Sequence, residues 1–579
     1  MKLKNKKHKN FNLQAIRNEI ETIEQYAVFF YLFCMFGIFP LHYKEQYYKI
    51  GTAKFDFFWN VSLYFIISTA VFIVIKAVII KIGNLKKEKF LRIKEEKAQN
   101  LVEKYLNKLS VLDFTVLVYG ICVVLSYSFS DYKDYAFKGA VGWEMGLCSQ
   151  LIFVALYFLL SGQKMFRDLF PLKKIKGTSA YFLEKKRIAI LLLGVHLTAS
   201  ALTFFFGILH RFDIDPLGMY EGLTIDQKRE FLSTMGQATW YSSYVCTTFA
   251  IGITIFYISK HKWVRLITGI YTVISFGILV TQNSDSAFMA IAGIILLLGY
   301  FSIQNRETWC RFWQLLCLML GTFMGVGMLQ KLYADRIIPL DDLSLFFSQS
   351  PVILILFGIS LGILCFYRKY ENKEKEEINK LMQYTKAGYV SFLVLLAASV
   401  ILMIVFIYLN TKGYLLSWFG YQSTHPYLLF DYHWGSNRGS TWLICTQAFM
   451  DLPWYQKLFG VGPDSLSQYL YSVPEIEGIL RSLWGNVNLT NAHNEYLNSL
   501  LCYGVVGVVS WIAVLFGGMR YFYEKAKENS FMIAFALCIA GYACHNIFCY
   551  QQVCCTPFLF ILLGVGESLT KSENFNTIK

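Results

Sequence analysis

Residues 389–409 read YVSFLVLLAASVILMIVFIYL, twenty-one positions without one charged side chain. At about 1.5 Å of rise per residue, such a run crosses the roughly 30 Å hydrocarbon core of a bilayer as a helix. Lipid offers the backbone no hydrogen-bond partners, so each segment must satisfy its own amides; helices are expected and a barrel is not. Directly after this run the chain enters its longest connection, from about Asn410 to Asn494.

Working outward, the pattern repeats. Fourteen apolar blocks are separated by short charged stretches: Gln25–Pro40, Phe57–Ile80, Ser110–Tyr127, Val141–Leu160, Ile188–Leu209, Thr239–Ile258, Leu266–Thr281, Ser286–Ile303, Phe312–Leu329, Ser350–Tyr367, Tyr389–Leu409, Glu495–Phe516, Phe531–His545 and Gln551–Ser568. The fold class is therefore all-α, a polytopic integral membrane protein with about 14 transmembrane helices and one long, partly helical external loop. The chain divides into four undistinctive spans (1–187), central helices (188–409), the loop (410–494) and C-terminal helices with a tail (495–579).

Composition agrees. With 55% hydrophobic and only 16% charged residues among 579, a soluble multidomain protein, a disordered chain and a disulfide scaffold are excluded. The net charge of +15 reads as topology. Alternate connections hold 39 Lys and Arg against 14 in the others, the positive-inside bias of a multi-pass protein of the cytoplasmic membrane with both termini cytoplasmic and the long loop external. Nucleic acid is not an expected partner; the lipid bilayer is. MKLKNKKHKN at the N-terminus is basic but leads into an uncleaved first helix, not a cleavage site. Of fourteen cysteines only Cys445 lies in the long loop, and no spacing suggests a zinc site. Lys76 reads as a snorkelling helix-end lysine and His196 as a satisfied interior histidine.

The long loop is dense in Trp, Tyr and Phe, as expected of a segment at the membrane interface, and is too apolar to be disordered. It should fold as a cap. Ser440 is placed to cap a helix over Thr441–Met450 that Pro453 ends, Gly460 and Gly462 to form a tight turn, and Asp464 or Ser465 to cap the next helix. At its end, His493 sits at the first turn of the following helix with Asn491 able to cap it. The positive helix terminus favours neutral imidazole, which can take a proton from a hydroxyl. Leu497, Leu500, Gly504 and Gly507 continue that helical face, the small residues permitting close packing.

Three pieces, GSNRGSTW (435–442), LFGVGPDSL (458–466) and AHNEYLNSLLCYGVVG (492–507), resemble the O-antigen ligase and polysaccharide polymerase family of membrane glycosyltransferases. The resemblance is specific over Ser436–Gly507 and extends loosely to Leu266–Ile303 and the last two helices. It implies transfer of a glycan from an undecaprenyl-diphosphate-linked oligosaccharide donor to a glycan acceptor hydroxyl on the outer face, without metal or other cofactor. Other polysaccharide-assembly membrane proteins join the expected partners. By the same resemblance Arg438 binds the diphosphate and His493 activates the hydroxyl.

A metal-free site calls for more than one cation, since an always-charged guanidinium fork offsets charge developing on diphosphate oxygens. Arg481 and then Arg336 are the further candidates in the long loop and the external loop before it. Where relatives carry a Ser-Arg pair between two spans, this chain has QNSDS (282–286), with Asp285 in the arginine's place. Either Arg481 or Arg336 replaces the missing charge, or Asp285 grips acceptor hydroxyls, or activity is altered. His545, at the end of the thirteenth span, is a candidate to line the same cavity. Polymerase is preferred over ligase. The alternative is a lipid-linked oligosaccharide flippase or other transporter, for which broken helices, repeats and mid-membrane charges would be expected.

Overall fold

The computed structural model describes residues 13–88, 109–163 and 180–571; the basic N-terminal decapeptide and the tail after residue 571 lie outside them. The chain is an all-α polytopic membrane protein. Among the described residues eleven helices are long and apolar enough to cross a membrane, and three shorter ones pack with them. In chain order they are α1 (Leu13–Phe33), α2 (Ile50–Glu88), α3 (Val111–Ser128), α4 (Leu147–Ser161), α5 (Ala180–Arg211), α6 (Ala238–Ile258), α7 (Lys262–Thr281), α8 (Asp285–Ser302), α9 (Arg306–Leu332), α10 (Pro351–Lys369), α11 (Lys375–Thr411), α12 (Glu495–Ala526), α13 (Ile533–His545) and α14 (Thr556–Lys571). Each of the fourteen apolar blocks overlaps one of these helices.

Local chemistry sets several boundaries. Ser110 and Asp113 form a reciprocal capping box at the start of α3. Ser350 caps α10, with Pro351 at the first helical position, where its missing N–H is not needed. The fourth block is only partly helical, because Gly139 and Gly142 turn the chain in the left-handed region and α4 begins at Leu147. Lys76 does not simply snorkel: its ammonium meets Glu24 at 2.7 Å, tying α2 to α1. His196 sits against the Phe36 ring, its Nε2 3.4 Å from the Thr248 carbonyl.

At the centre, α12 packs against α3 and α13, and α13 against α8. The core helices α13 and α14 are apolar on all sides and almost wholly buried. Helix α11 is the opposite. The apolar window of this helix, which contains the uncharged run, is buried nowhere against protein. It touches the bundle near its start, through Met382 in the core, Thr385 against the Tyr367 hydroxyl, and Tyr389, whose hydroxyl donates to the Leu296 carbonyl at 2.9 Å. At its far end the buried Asn410 amide organises the start of the loop, donating to the Ser423 and Leu428 carbonyls and accepting from Ser423 N.

The loop is folded, as five short helices: Tyr414–Phe419, Trp434–Asp451, Trp454–Phe459, Leu466–Ser472 and Pro474–Trp484. Their starts differ from the capping expectations. Ser440 lies within the second helix and its hydroxyl donates back to the Asn437 carbonyl at 2.8 Å. Asp464 caps nothing; its carboxylate reaches across to accept from Ala140 N (2.8 Å) and Met145 N (3.2 Å), pinning the loop before α4. Burial pushes the Asp464 carboxyl up to about 7, with those two N–H groups opposing the shift.

The Gly460–Gly462 turn has a partner that the sequence does not announce. Helix α12 breaks at Gly504, which adopts φ 68°. The break frees carbonyls that a continuous helix would use, and the turn supplies their donors: Val461 N bonds Leu501 O at 2.9 Å and Gly462 N bonds Cys502 O at 3.0 Å. In a membrane, a broken helix persists only where protein groups satisfy it in this way. A broken helix, expected of a transporter, is therefore present at Gly504, but that break is closed by the cap. Gly504→Ala is expected to prevent stable folding. It forces alanine into the left-handed region and drives Cβ to 2.3 Å from the Leu458 backbone, a cost of several kcal/mol on the usual scale of strain and overpacking. Fluorescence-detected size exclusion after mild heating would show it; a wild-type profile would contradict the coupling of turn and break.

Candidate active site

On the loop face, four elements converge: the second cap helix, the segment before α12, the hairpin between α7 and α8, and the 546–550 connection after α13. Arg438 is half-buried near the start of the second cap helix, where Gly435 and Asn437 take positive φ. Its Nη1 donates to the Gly435 carbonyl at 3.1 Å, which fixes the fork, and its guanidinium lies 5.7 Å from the Phe548 ring centroid. Its Nε is buried without a partner among the described residues. A buried unpaired charged donor is costly and is the sort of group that an anion would satisfy. Burial holds the guanidinium below its ordinary pKa and the nearby Asp285 opposes that, though no direct ion pair forms.

His493 is not in the first turn of α12. It precedes the helix in the left-handed conformation (φ 47°), its N–H held by Asn491 Oδ1 at 3.1 Å. The helix cap is Asn494, which accepts from Leu497 N at 2.9 Å, rather than Asn491. The imidazole packs edge-on against Tyr550, ring centroids 5.6 Å apart. Its pKa is pushed down to about 4, first by burial and then by the positive charge of Arg438. The imidazole is thus neutral as expected, but for a different reason than the helix terminus. Phe548 beneath Arg438 and Tyr550 against His493 are two residues apart, so one short connection seats both groups. Below, a cavity of about 20 Å³, enough for about one water, lies between Asn491, Glu495 and Tyr550.

Asp285 opens α8 in the same electrostatic neighbourhood. His545 lies behind it, fully buried. The amide of Asn546 donates to the Glu495 carboxylate, which leaves Asn546 Oδ1 facing His545 Nδ1 at 3.1 Å. Nδ1 therefore carries the proton, and Nε2 is left as an acceptor with the hydroxyls of Ser242 (2.8 Å) and Ser286 (2.9 Å) against it. His545 braces the hairpin and has no open face of its own. The structure does not bring Arg481 or Arg336 to Arg438. Arg481 is exposed, paired with Glu477 at 3.4 Å and stacked on Tyr471. Arg336 is exposed after α9, without a side-chain partner among the described residues.

Three residues here escaped the sequence reading. Arg211, wholly buried, donates Nε to Thr281 O (2.7 Å) and its terminal nitrogens to the carbonyls of Lys228, Arg229 and Gln282. It is the cation nearest the altered hairpin, but its donors are spent on backbone, so it is a strut and not an anion site. Beside it an open cleft of about 580 Å³ is lined by Arg229, Asp341, Asn283 and Gln237. Asn283 holds the cleft wall by accepting from Asp341 N at 3.0 Å. One oxygen of Asp341 is buried without a partner among the described residues, and burial, then the negative charge of Asp285, hold this carboxyl above its ordinary range. No motif marks Arg229 or Asp341; only the fold puts them at the hairpin.

Compared with known families, residues 337–512 match the family model described as O-antigen ligase. The match contains Arg438 and His493 and ends within α12. No curated protein matches the chain.

Proposed function

We propose, from the match of residues 337–512 to the family model described as O-antigen ligase, that the chain is a membrane glycosyltransferase acting on undecaprenyl-diphosphate-linked oligosaccharide at the outer face of the cytoplasmic membrane, in cell-surface polysaccharide synthesis. The observation that carries this reading is the pairing of a half-buried guanidinium, with an unsatisfied donor, and a neutral imidazole on one aromatic connection. Arg438 receives the diphosphate. His493 accepts the proton of the acceptor hydroxyl. The bond between the anomeric carbon and the diphosphate oxygen breaks, the acceptor oxygen bonds that carbon, its proton passes to the imidazole, and the lipid diphosphate leaves. Asp285, Asp341, Asn283 and Arg229 form the wall that holds acceptor hydroxyls, carboxylates and amides being suited to sugar hydroxyls. Asp285 thus grips sugar instead of supplying the second cation. His545 positions the hairpin that carries it.

Between the two reactions of this family type, polymerisation is preferred. An enzyme that lengthens a chain uses a growing lipid-linked glycan and a repeat unit of like chemistry, and the open cleft beside Asp285 admits an extended glycan. Purified protein in lipid, given only undecaprenyl-diphosphate oligosaccharide, should yield a ladder of longer glycans. A ligase would give no ladder without a separate acceptor, and no turnover with any acceptor would remove the enzymatic reading. Domain roles follow: residues 410–494 carry the chemistry, and residues 495–579 seat it through α12 and the 546–550 connection.

A further inference from the structure

A wide cavity lies at the other end of the bundle. It measures about 820 Å³ and sits where the α8–α9 turn, the start of α11 and the end of α12 meet. Four cations line it, Arg306, Lys386, Arg520 and Lys527, against one acid, Glu524. Glu524 is taken by Lys527, and Arg306 by the Tyr367 carbonyl and, at 4.0 Å, Glu371. Lys386 and Arg520 are exposed and have no side-chain partner among the described residues. The amides of Asn379 and Gln383 face the same space.

A second cavity, of about 310 Å³, continues from the first, sharing Leu297, Tyr300 and Met519. Its remaining lining is apolar, including Leu393, Phe516 and Ile539, and it rises along α8, α12 and α13 as far as Cys544. It lies where α11, held to the bundle from Met382 through Thr385 to Tyr389, leaves the rest of its apolar face unburied. Snorkelling explains single cations at helix ends; it does not explain two unpaired cations beside amides over a cavity whose floor opens into an apolar groove.

We propose that this cleft binds one anionic glycerophospholipid, its phosphate between Lys386 and Arg520 and an acyl chain in the groove between α11 and the α8–α12–α13 face. Charge complementarity chooses the headgroup, since basic pockets between helices attract anionic lipid. The groove chooses a lipid over a free anion, because burying methylenes adds affinity that inorganic phosphate lacks.

The test uses the full chain in detergent, measured by native mass spectrometry and by thermal stability, with phosphatidylglycerol and phosphatidylcholine as probes. Phosphatidylglycerol should be retained at least about tenfold more strongly than phosphatidylcholine, and the double variant Lys386→Ala/Arg520→Ala should lose that preference. Leu393→Trp, which narrows the groove and leaves both cations, should weaken retention while inorganic phosphate gives no stabilisation. Equal retention of the two lipids, or an unchanged preference in the double variant, would overturn the proposal. Stabilisation by phosphate alone would leave an anion site without a lipid, and displacement of phosphatidylglycerol by a polyprenyl phosphate at equal concentration would give the groove to another occupant; either result rejects it.

Discussion

Alanine in place of Arg438 is expected to lower the initial rate of glycan transfer by about 100- to 1,000-fold, the usual effect of removing one preorganised donor from a developing negative charge. The expectation rests on how the fork is held. One nitrogen is fixed on the Gly435 carbonyl, and the stem is braced over Phe548. The remaining N–H groups are thus aimed before substrate arrives, and no reorganisation is needed as the diphosphate departs. Arg438→Lys should recover little. A lysine retains the charge, but a single ammonium cannot hold the Gly435 carbonyl and a diphosphate in one fixed geometry. Rates with purified variants, together with unchanged thermal unfolding, separate this from a folding defect. Full activity in Arg438→Ala would remove the guanidinium from the chemistry.

The same residue illustrates what a sequence can and cannot disclose here. That a helix crosses at residues 389–409 follows from the absence of charge over twenty-one positions, a local property. The apolar blocks were legible by the same scarcity of charge, eleven of their helices being long enough to cross a membrane among the described residues, and so was the position of the long loop. Partners distant in sequence were not. The Gly460–Gly462 turn reads locally as a tight turn; that it repairs a break in α12 at Gly504 depends on hydrogen bonds across forty residues. Asp464 looks like a helix cap because the residue type fits, yet the donors it meets come from Ala140 and Met145.

Charge is the clearest case. Counting external cations suggests Arg481 or Arg336 as companions for Arg438, because a list of residues does not say which donors are already engaged. The fold puts Arg211 nearest the hairpin and spends it on four carbonyls. Asp285 departs from the family pattern in the sequence, and the structure sets it within electrostatic reach of Arg438 and of Asp341, a wall residue of the neighbouring cleft. On the proposed reading the departure exchanges a cation for a sugar-binding group, which leaves Arg438 as the cation proposed for the diphosphate among the described residues around it.

Asparagine in place of His493 is expected to reduce kcat by about 100- to 10,000-fold, the range for loss of a positioned proton acceptor, with thermal stability retained. Asparagine is the informative choice because residue 493 has φ 47°, a conformation that asparagine adopts readily and alanine does not. The pH profile is more specific still. Free His493 is held at about 4 by burial and by Arg438, so the acid limb of kcat/KM belongs near that value instead of 6.5. Bound diphosphate cancels the Arg438 charge, which raises the imidazole pKa, so the acid limb of kcat should lie higher than that of kcat/KM. Donor binding thereby makes His493 a stronger base once the diphosphate is in place. Stability carries the same signature. The folded pKa lies below the unfolded value, so the unfolded state binds more protons between pH 6.5 and 4. The contribution of neutral His493 is present above 6.5 and is lost as pH falls through that window. His493→Asn should flatten that part of the stability profile. Coincident acid limbs near 6.5 in both kinetic profiles would show an ordinary exposed histidine, and the assignment of His493 as proton acceptor would fail with them.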